Sequence, residues 1–274
     1  MMNSTSRIWT TTGLISGVST VLLLCGFFYA VKDIMNPLGA PIFDEQTRQE
    51  SVLPTPEIES VLDVTAIGDS LAKGTGDDTG NGYARRTVQI LKERGDQSKL
   101  VNNLGINGLT TAKLIPLLDE KGVQYVLKQS GVILLSIGGN DLFQETEKFQ
   151  SGGEFPTEME LEKSVTEASE NFKQIVKKLV DINPDAQLVY VSLYNPFADL
   201  EGIKEIGNKA VTHWNSLAMQ TMSEYKRTLV VPTYDLFSNN GPLYLSGDHF
   251  HPNGEGYQSI AERIVQGLGK SVVE

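Results

Sequence analysis

Residues Val64–Leu71, with the sequence VTAIGDSL, decide the fold that this chain is predicted to adopt. The stretch opens with apolar and β-branched residues and ends in a Gly-Asp-Ser turn, with more glycine after it. A short run of this kind, bounded by turn residues, predicts a buried β-strand. Open α/β sheets bind their ligands just beyond the carboxyl ends of the strands. Ser70 therefore occupies a position where such a sheet would hold a substrate.

Later stretches repeat the strand pattern, and amphipathic helical patterns lie between them. The strand patterns cover residues 99–104, 131–137, 187–193 and 228–232. Residues 131–137 are continuously apolar up to Ser136, as expected of a central parallel strand that is covered on both faces. Thr157 and Glu160 form a capping box that predicts the start of the longest helix. Because strands alternate with helices, the sequence predicts a five-stranded parallel sheet with helices on both faces, within a domain spanning residues 61–270.

The composition excludes several classes of function. The net charge is −11, with 23 Lys and Arg against 34 Asp and Glu, so a phosphate backbone would not be attracted and nucleic acid is not an expected partner. The single cysteine, Cys25, allows neither an intramolecular disulfide nor a cysteine-based zinc site. The 3 histidines leave little material for a metal centre. We therefore expect chemistry that uses side chains alone, without a metal or a cofactor.

The amino-terminal region is predicted to be a membrane anchor. No charged residue occurs between Arg7 and Lys32, and Val21–Leu24 is the apolar centre of this stretch. About 20 residues of this kind can span the hydrocarbon layer as a helix. Arg7 and the terminal amine favour a cytoplasmic amino end. Residues 1–31 are thus predicted to be a single transmembrane helix, with the rest of the chain outside the cell membrane.

Two alternatives to an uncleaved anchor remain open. A cleaved signal peptide needs small residues before the cut, but Phe28 is bulky for a cut after Ala30, and Pro41 disfavours a cut after Ala40. If cleavage does occur, the protein would be secreted. A lipidated Cys25 would need a small residue before it, where Leu24 stands. Residues 32–60, which contain several prolines and acidic residues and show no periodicity, are predicted to be a linker.

Four turns carry residues that could act together in catalysis. Besides the turn at Ser70, they are residues 103–108, 138–141 and 248–252. Loops at one end of a parallel sheet converge, so these residues can meet in space. Acyl transfer needs a nucleophile, a base, a group that orients the base, and donors for the developing oxyanion. Ser70 is the candidate nucleophile, His251 the candidate base and Asp248 the candidate orienting group.

Gly108 and Asn140 are the candidate oxyanion donors. A glycine lets its backbone N–H approach a substrate closely, and the Asn140 amide could point at the same oxygen, with the Ser70 N–H as the third donor. Each of these residues also has an ordinary structural interpretation. Ser70 could cap a helix, His251 could be a loop residue, and the two oxyanion candidates could simply form turns.

The other titratable residues in these motifs are assigned structural roles. Asp69 and Asp141 could cap the helices that follow them. His249 is next to Asp248 in sequence but is expected to have a structural role. His213 lies beside Trp214 in an amphipathic pattern and is expected to pack.

Taken together, the motifs resemble those of the SGNH hydrolases, also called GDSL-type esterases and lipases, and the anchor is similar to that of membrane-anchored bacterial members. Gly68–Leu71 matches the first block of the family, Gly108 the second, Gly138–Asp141 the third and Asp248–His251 the fifth. The resemblance implies the roles of the family for Ser70, Gly108, Asn140 and His251, with Asp248 as the acid of a triad. It also implies a flavodoxin-like, three-layer α/β/α fold.

The function expected from this resemblance is a serine esterase or lipase that hydrolyses a lipid or carbohydrate ester. One alternative is a carbohydrate or peptidoglycan O-acetylesterase. The other is a surface-binding protein on an inactive hydrolase scaffold. A nucleotide-binding site is discarded, because the glycines at Gly74 and Gly76 lack the spacing of either phosphate-binding motif.

Overall fold

A computed structural model describes residues 16–28, 62–143, 156–238 and 240–271. The chain divides into two compact units, Met1–Glu57 and Ile58–Glu274. In the first unit, residues 16–28 form a helix, α1, whose side chains are exposed. Among the described residues, no helix has both the length and the hydropathy of a membrane span. The remaining residues of the predicted anchor, 1–15 and 29–31, and the predicted linker lie outside the described residues, so the anchor stays a prediction.

The second unit is built on a parallel sheet. Its strands are β1 (Val64–Gly68), β2 (Leu100–Gly105), β3 (Val132–Ser136), β4 (Gln187–Val191) and β5 (Thr228–Val231). They form one 5-stranded sheet in the order β2-β1-β3-β4-β5, and every neighbouring pair is parallel. This is the flavodoxin-like order, in which successive strands are added on one side of β1 up to β2 and on its other side from β3 onward. The predicted five-stranded parallel sheet is confirmed.

Helices connect the strands and cover both faces of the sheet. They are α2 (Ser70–Lys73), α3 (Gly82–Glu93), α4 (Thr111–Leu117), α5 (Lys121–Leu127), α6 (Gly139–Phe143), α7 (Glu158–Ile182), α8 (Lys204–Ser223), α9 (Tyr234–Ser238), α10 (Gly241–Tyr244) and α11 (Gly254–Ser271). The predicted capping box is present at the start of α7, where the side chains of Thr157 and Glu160 each accept a backbone N–H of the other.

Successive strand residues contribute to cores on opposite faces, because side chains alternate along a strand. In β3, Ile133 and Leu135 belong to a core that includes residues of α4, α5, α7 and α8. Val132 and Leu134 belong to the other core, which includes residues of α3 and α11. All of β3 is buried. The continuously apolar stretch is therefore a central strand packed on both faces, as its sequence predicts.

The point at which the strand order switches sides lies at the carboxyl ends of β1 and β3, where Gly68 pairs with Ser136. Gly68 has φ +135°, and a Cβ at this position would overlap the carbonyl oxygen of Ser136. Only glycine tolerates both conditions, so Gly68 lets β1 turn sharply into α2 against its neighbour. That turn puts Ser70 at the edge of the sheet where ligands bind in this class of fold.

Candidate active site

Ser70 is the first residue of the short helix α2, and Asp69 is its N-cap. The Asp69 Oδ1 atom accepts the backbone N–H of Leu71 at 3.0 Å. The expectation that Asp69 could cap the following helix is confirmed, whereas the alternative in which Ser70 itself is the cap is wrong. Because the cap is the residue before it, the Ser70 hydroxyl is left available for another partner.

That partner is His251. The Ser70 Oγ lies 2.8 Å from His251 Nε2, and His251 Nδ1 lies 2.7 Å from Asp248 Oδ2. A carboxylate only accepts, so Nδ1 carries the proton and donates to Asp248, which leaves Nε2 to accept from the Ser70 hydroxyl. The structure thus brings the three sequence-predicted residues into one hydrogen-bonded chain, although 181 positions separate the serine from the histidine.

The Asp248 carboxylate is held by its own loop. Its second oxygen, Oδ1, accepts the hydroxyl of Ser246 at 2.7 Å and the backbone N–H groups of Phe250 and His251, both at 2.9 Å. Partial burial acts to raise the pKa of Asp248, but the hydrogen bonds, led by that from the His251 side chain, lower it to about 2. Asp248 is therefore ionised at neutral pH and can orient the imidazole and stabilise its protonated form.

The loop that bears His251 packs against the loop that follows Ser70. Gly76 has φ +94°, and a Cβ there would come within 2.6 Å of the Pro252 carbonyl oxygen and 2.8 Å of His251 Cβ. The Tyr257 hydroxyl donates to the carbonyl of Thr75 at 2.8 Å. Gly76 thus permits the close approach that keeps the base beside the nucleophile. The sequence excludes a phosphate-binding loop at Gly76 but does not predict this contact.

The two oxyanion candidates lie next to each other. Gly108 has φ +72° in the turn after β2, and Asn140 lies in α6, where its Nδ2 donates to the carbonyl of Leu109 at 2.9 Å. One amide hydrogen of Asn140 therefore fixes its side chain against the Gly108–Leu109 turn, and the other hydrogen remains for a substrate. The hydrogen bonds of the described residues do not join either candidate to Ser70.

Asp141 connects the two oxyanion loops in a way that the sequence did not predict. Its carboxylate accepts the Thr111 backbone N–H, at 3.0 Å to Oδ2, and the Thr111 hydroxyl, at 2.6 Å to Oδ1. Asp141 therefore caps α4, from which it is 30 positions away in sequence, and it also stands in the first turn of α6, where a carboxylate stabilises the start of a helix. Burial raises the pKa of Asp141, against the effect of these hydrogen bonds. The contact fixes residues 138–141 relative to the loop that carries Gly108.

A second buried carboxyl lies behind the nucleophile. Ser136 donates its hydroxyl to Asp69 Oδ1 at 2.9 Å, and Tyr83 donates its hydroxyl to Ser136 Oγ at 3.2 Å. Burial raises the pKa of Asp69 to about 7, although the hydrogen bonds from Ser136 and Leu71 oppose the shift. This network ties the turn before Ser70 to the end of β3. Neither Ser136 nor Tyr83 could be identified from the sequence motifs.

The other two histidines lie away from the Ser70 hydroxyl. The prediction that His213 packs in the interior beside Trp214 is wrong. Its side chain is 41% exposed, and its Nδ1 lies 3.1 Å from Glu162 Oε2 on α7. Trp214 is the buried residue, because consecutive positions of a helix point about 100° apart. His249 is exposed in a turn with φ +55°, where its N–H donates to the Ser246 carbonyl at 2.9 Å.

A small, mainly apolar cavity opens at Ser70 and His251, and its volume is about 40 Å³. We call it the acyl cavity. The other residues that line it are Leu71, Gly139, Phe143, Leu193, Tyr194, Pro196 and Phe250. Tyr194 also donates its hydroxyl to the Phe250 carbonyl at 2.8 Å, which supports the loop that carries His251. Within the described ranges, no cluster of His, Cys, Asp or Glu side chains is placed to hold a metal ion.

Comparison with known proteins gives consistent matches. Residues 66–259 match the GDSL-like Lipase/Acylhydrolase family. The chain is 32% identical over 220 residues to the uncharacterized protein YpmR of Bacillus subtilis (strain 168), which covers 76% of this chain and 81% of that protein. It is 27% identical over 208 residues to the spore germination lipase LipC of Bacillus licheniformis, covering 74% and 94% of the two chains. The crystal structure of the lipase Lip_vut3 from a goat rumen metagenome aligns with a TM-score of 0.65 and 25% identity, over 76% of this chain and 97% of the lipase.

Proposed function

The chain belongs to the GDSL-like lipase/acylhydrolase family and is a carboxylic ester hydrolase, and we propose that it cleaves its substrate through a Ser70-His251-Asp248 triad. One observation carries the proposal. Two consecutive hydrogen bonds, of 2.8 Å and 2.7 Å, join the Ser70 hydroxyl to the Asp248 carboxylate through His251. Ser70 and His251 also line the acyl cavity, so the nucleophile faces a space that a substrate can enter.

In this mechanism, the Ser70 Oγ attacks the ester carbonyl carbon while His251 Nε2 takes its proton. Ionised Asp248 stabilises the imidazolium that forms. The tetrahedral intermediate collapses when His251 gives the proton to the alcohol oxygen, which leaves an acyl group on Ser70. A water molecule then attacks this acyl-enzyme, again with His251 as base, and releases the carboxylic acid and free Ser70.

A tetrahedral intermediate with an oxyanion forms in each half of the reaction, first on acylation of Ser70 and again on attack by water. We assign the same three hydrogen-bond donors to both oxyanions. They are the backbone N–H groups of Ser70 and Gly108 and the second amide hydrogen of Asn140. The hydrogen bond from Asn140 to the Leu109 carbonyl supports this assignment, because it fixes the amide before substrate binds. Donors that are already fixed stabilise a developing charge without reorganising during the reaction.

Ser70→Ala is the experiment that tests the proposed function. We expect kcat for a short ester to fall by at least about 10⁴-fold, since removal of the nucleophile leaves only binding and oxyanion stabilisation. A fluorophosphonate probe should modify the peptide that contains Ser70 in the wild type and leave Ser70→Ala unmodified, as read by mass spectrometry. Ser223→Ala, at an exposed position at the end of α8, is the matched control and should react like the wild type. Turnover of Ser70→Ala within tenfold of the wild type would overturn the mechanism.

A second candidate function, that of a carbohydrate or peptidoglycan O-acetylesterase, is favoured by the size of the acyl cavity. Its volume of about 40 Å³ holds a group of the size of acetyl, whereas most of a long fatty acyl chain would have to lie outside this cavity. Both candidates use the same triad and differ in the ester that is cleaved.

We also propose that residues 1–31 anchor the protein in the cell membrane, with the hydrolase unit on the outer side. The uncharged stretch between Arg7 and Lys32 supports this assignment. In bacterial cells that express the full chain, the protein should sediment with membranes, and protease added to intact spheroplasts should digest its hydrolase unit. A variant that begins after residue 31 should not sediment with the membranes. If cells that express the full chain instead release a shortened protein into the medium, secretion after cleavage would be supported.

A further inference from the structure

A second and much larger cavity lies beside the catalytic loop, with a volume of about 520 Å³. We call it the apolar cleft. Its walls are Pro196, Phe197, Leu200, Pro242 and Leu245, and residues Ser246–Asp248 lie along the same cavity. A volume of this size, with mainly apolar walls and a few polar groups, is typical of a site for a small organic molecule.

The apolar cleft adjoins the acyl cavity. Pro196 lines both spaces. The rings of Phe197, on the cleft side, and Phe250, on the side of the acyl cavity, have centroids 6.0 Å apart. The two spaces are therefore neighbours that meet at Pro196, and a substrate that occupied both would pass beside this residue.

The reaction itself indicates which part of the ester enters the apolar cleft. His251 must deliver its proton to the alcohol oxygen, so the alcohol lies on the His251 side of the scissile bond. The loop that carries His251 borders both spaces, since His251 lines the acyl cavity while Leu245, Ser246 and Asp248 form a wall of the apolar cleft. The acyl group is then left with the acyl cavity, whose volume is only about 40 Å³.

The charges in the apolar cleft restrict the alcohol further. The acidic residues Asp199 and Asp248 line it, and Asp248 is ionised at neutral pH because its pKa is about 2. Carboxylates in a partly apolar site repel a phosphate or carboxylate group on the ligand. The other polar side chains of the lining are Ser246, whose hydroxyl already donates to Asp248, and His249, and the rest of the lining is proline, phenylalanine, leucine and glycine. These features favour an uncharged alkyl or aryl alcohol.

We propose that the apolar cleft binds the alcohol moiety of the substrate and that the preferred substrates are short-chain acyl esters of uncharged, apolar alcohols. This inference rests on the proposed function, because it uses the position of His251 as the general acid. It assigns a binding site and a substrate class beyond the triad, and it favours an apolar alcohol over the sugar of the second candidate function.

Two isomeric esters test the orientation of the substrate. Octyl acetate and ethyl octanoate have the same composition, but one has its long chain in the alcohol and the other in the acyl group. With both below their solubility limits, we expect kcat/KM for octyl acetate to exceed that for ethyl octanoate by at least about 10-fold. The opposite preference would overturn the inference, and so would a higher kcat/KM for glucose pentaacetate than for octyl acetate.

A pair of leucine variants tests whether the apolar cleft is responsible. Leu200 lines the cleft and is 45% exposed, whereas Leu243 lies on α10 outside its lining and is 61% exposed. In Leu200→Gln, the ratio of kcat/KM for octyl acetate to that for ethyl acetate should fall by about 10-fold, since an apolar contact with the long alcohol is lost. In the matched control Leu243→Gln, the ratio should stay at the wild-type value. Equal ratios in both variants would contradict the assignment.

The same measurements separate failure of this inference from failure of the proposed function. If the fluorophosphonate labels Ser70 and ethyl acetate is hydrolysed, but ethyl octanoate is preferred, only the assignment of the apolar cleft is wrong. If no ester is hydrolysed and Ser70 is not labelled, the triad mechanism fails and the inference fails with it.

Discussion

Replacement of His251 with glutamine is expected to lower kcat for ethyl acetate by about 10⁴-fold or more. Glutamine has a polar side chain of similar size, but it cannot accept the Ser70 proton and return it to the alcohol. The substitution removes the 2.8 Å hydrogen bond between Ser70 Oγ and His251 Nε2. Steady-state kinetics at neutral pH, with circular dichroism as a check on folding, measure the effect.

Two comparisons make this result specific to the triad. His213→Gln alters a half-exposed histidine that contacts Glu162 and should keep kcat near the wild-type value. The double variant Ser70→Ala, His251→Gln should be no slower than the slower single variant, because groups that act as one unit lose their effect together. Losses that multiplied in the double variant would indicate that the two residues act independently.

Much of the sheet could be predicted because each strand carries its own pattern of apolar residues. The alternation of these strands with the long helices α3, α7, α8 and α11 then determines a parallel arrangement. The helices α5, α9 and α10 were not predicted, and none of them exceeds 7 residues. A helix of this length has no recurring apolar face, so no helical period appears in the sequence.

The candidate site divides in a similar way. Ser70, Asp248 and His251 could be proposed because their residue types can carry out acyl transfer and because their motifs occur in the same order as the sequence blocks of the SGNH hydrolases. The residues that hold them could not be found in this way. Tyr83, Ser136 and Asp141 act through partners 30 to 67 positions away, and only the folded chain brings such partners together.

His213 shows the limit of reasoning from neighbours in sequence. It was expected to pack because Trp214 follows it, but adjacent helical residues face different directions. Gly76 shows another limit. The residue is visible in the sequence, but its contact with the His251 loop joins two loops that lie far apart along the chain, and no local pattern encodes this contact.

Asn140→Ala is expected to lower kcat for ethyl acetate by about 100- to 1000-fold with little change in KM, the range observed when one oxyanion donor is lost. The effect falls on kcat because the amide hydrogen binds an oxygen that becomes fully negative only in the transition state. Steady-state kinetics over a range of ester concentrations separate the two constants. A loss confined to KM would contradict the assignment, because it would indicate that Asn140 binds substrate and transition state equally.

The substitution also removes the hydrogen bond from Asn140 to the Leu109 carbonyl, so a structural cause for the lost activity must be tested. Asn183→Ala is the matched control. The Asn183 amide likewise donates to backbone carbonyls, those of Leu127 and Ser130, but at the carboxyl end of α7. We expect both variants to lose about 1–3 kcal/mol of unfolding free energy in urea, since each leaves carbonyl groups without a donor. Only Asn140→Ala should lose kcat, because loss of stability alone does not remove an oxyanion donor from the protein that remains folded.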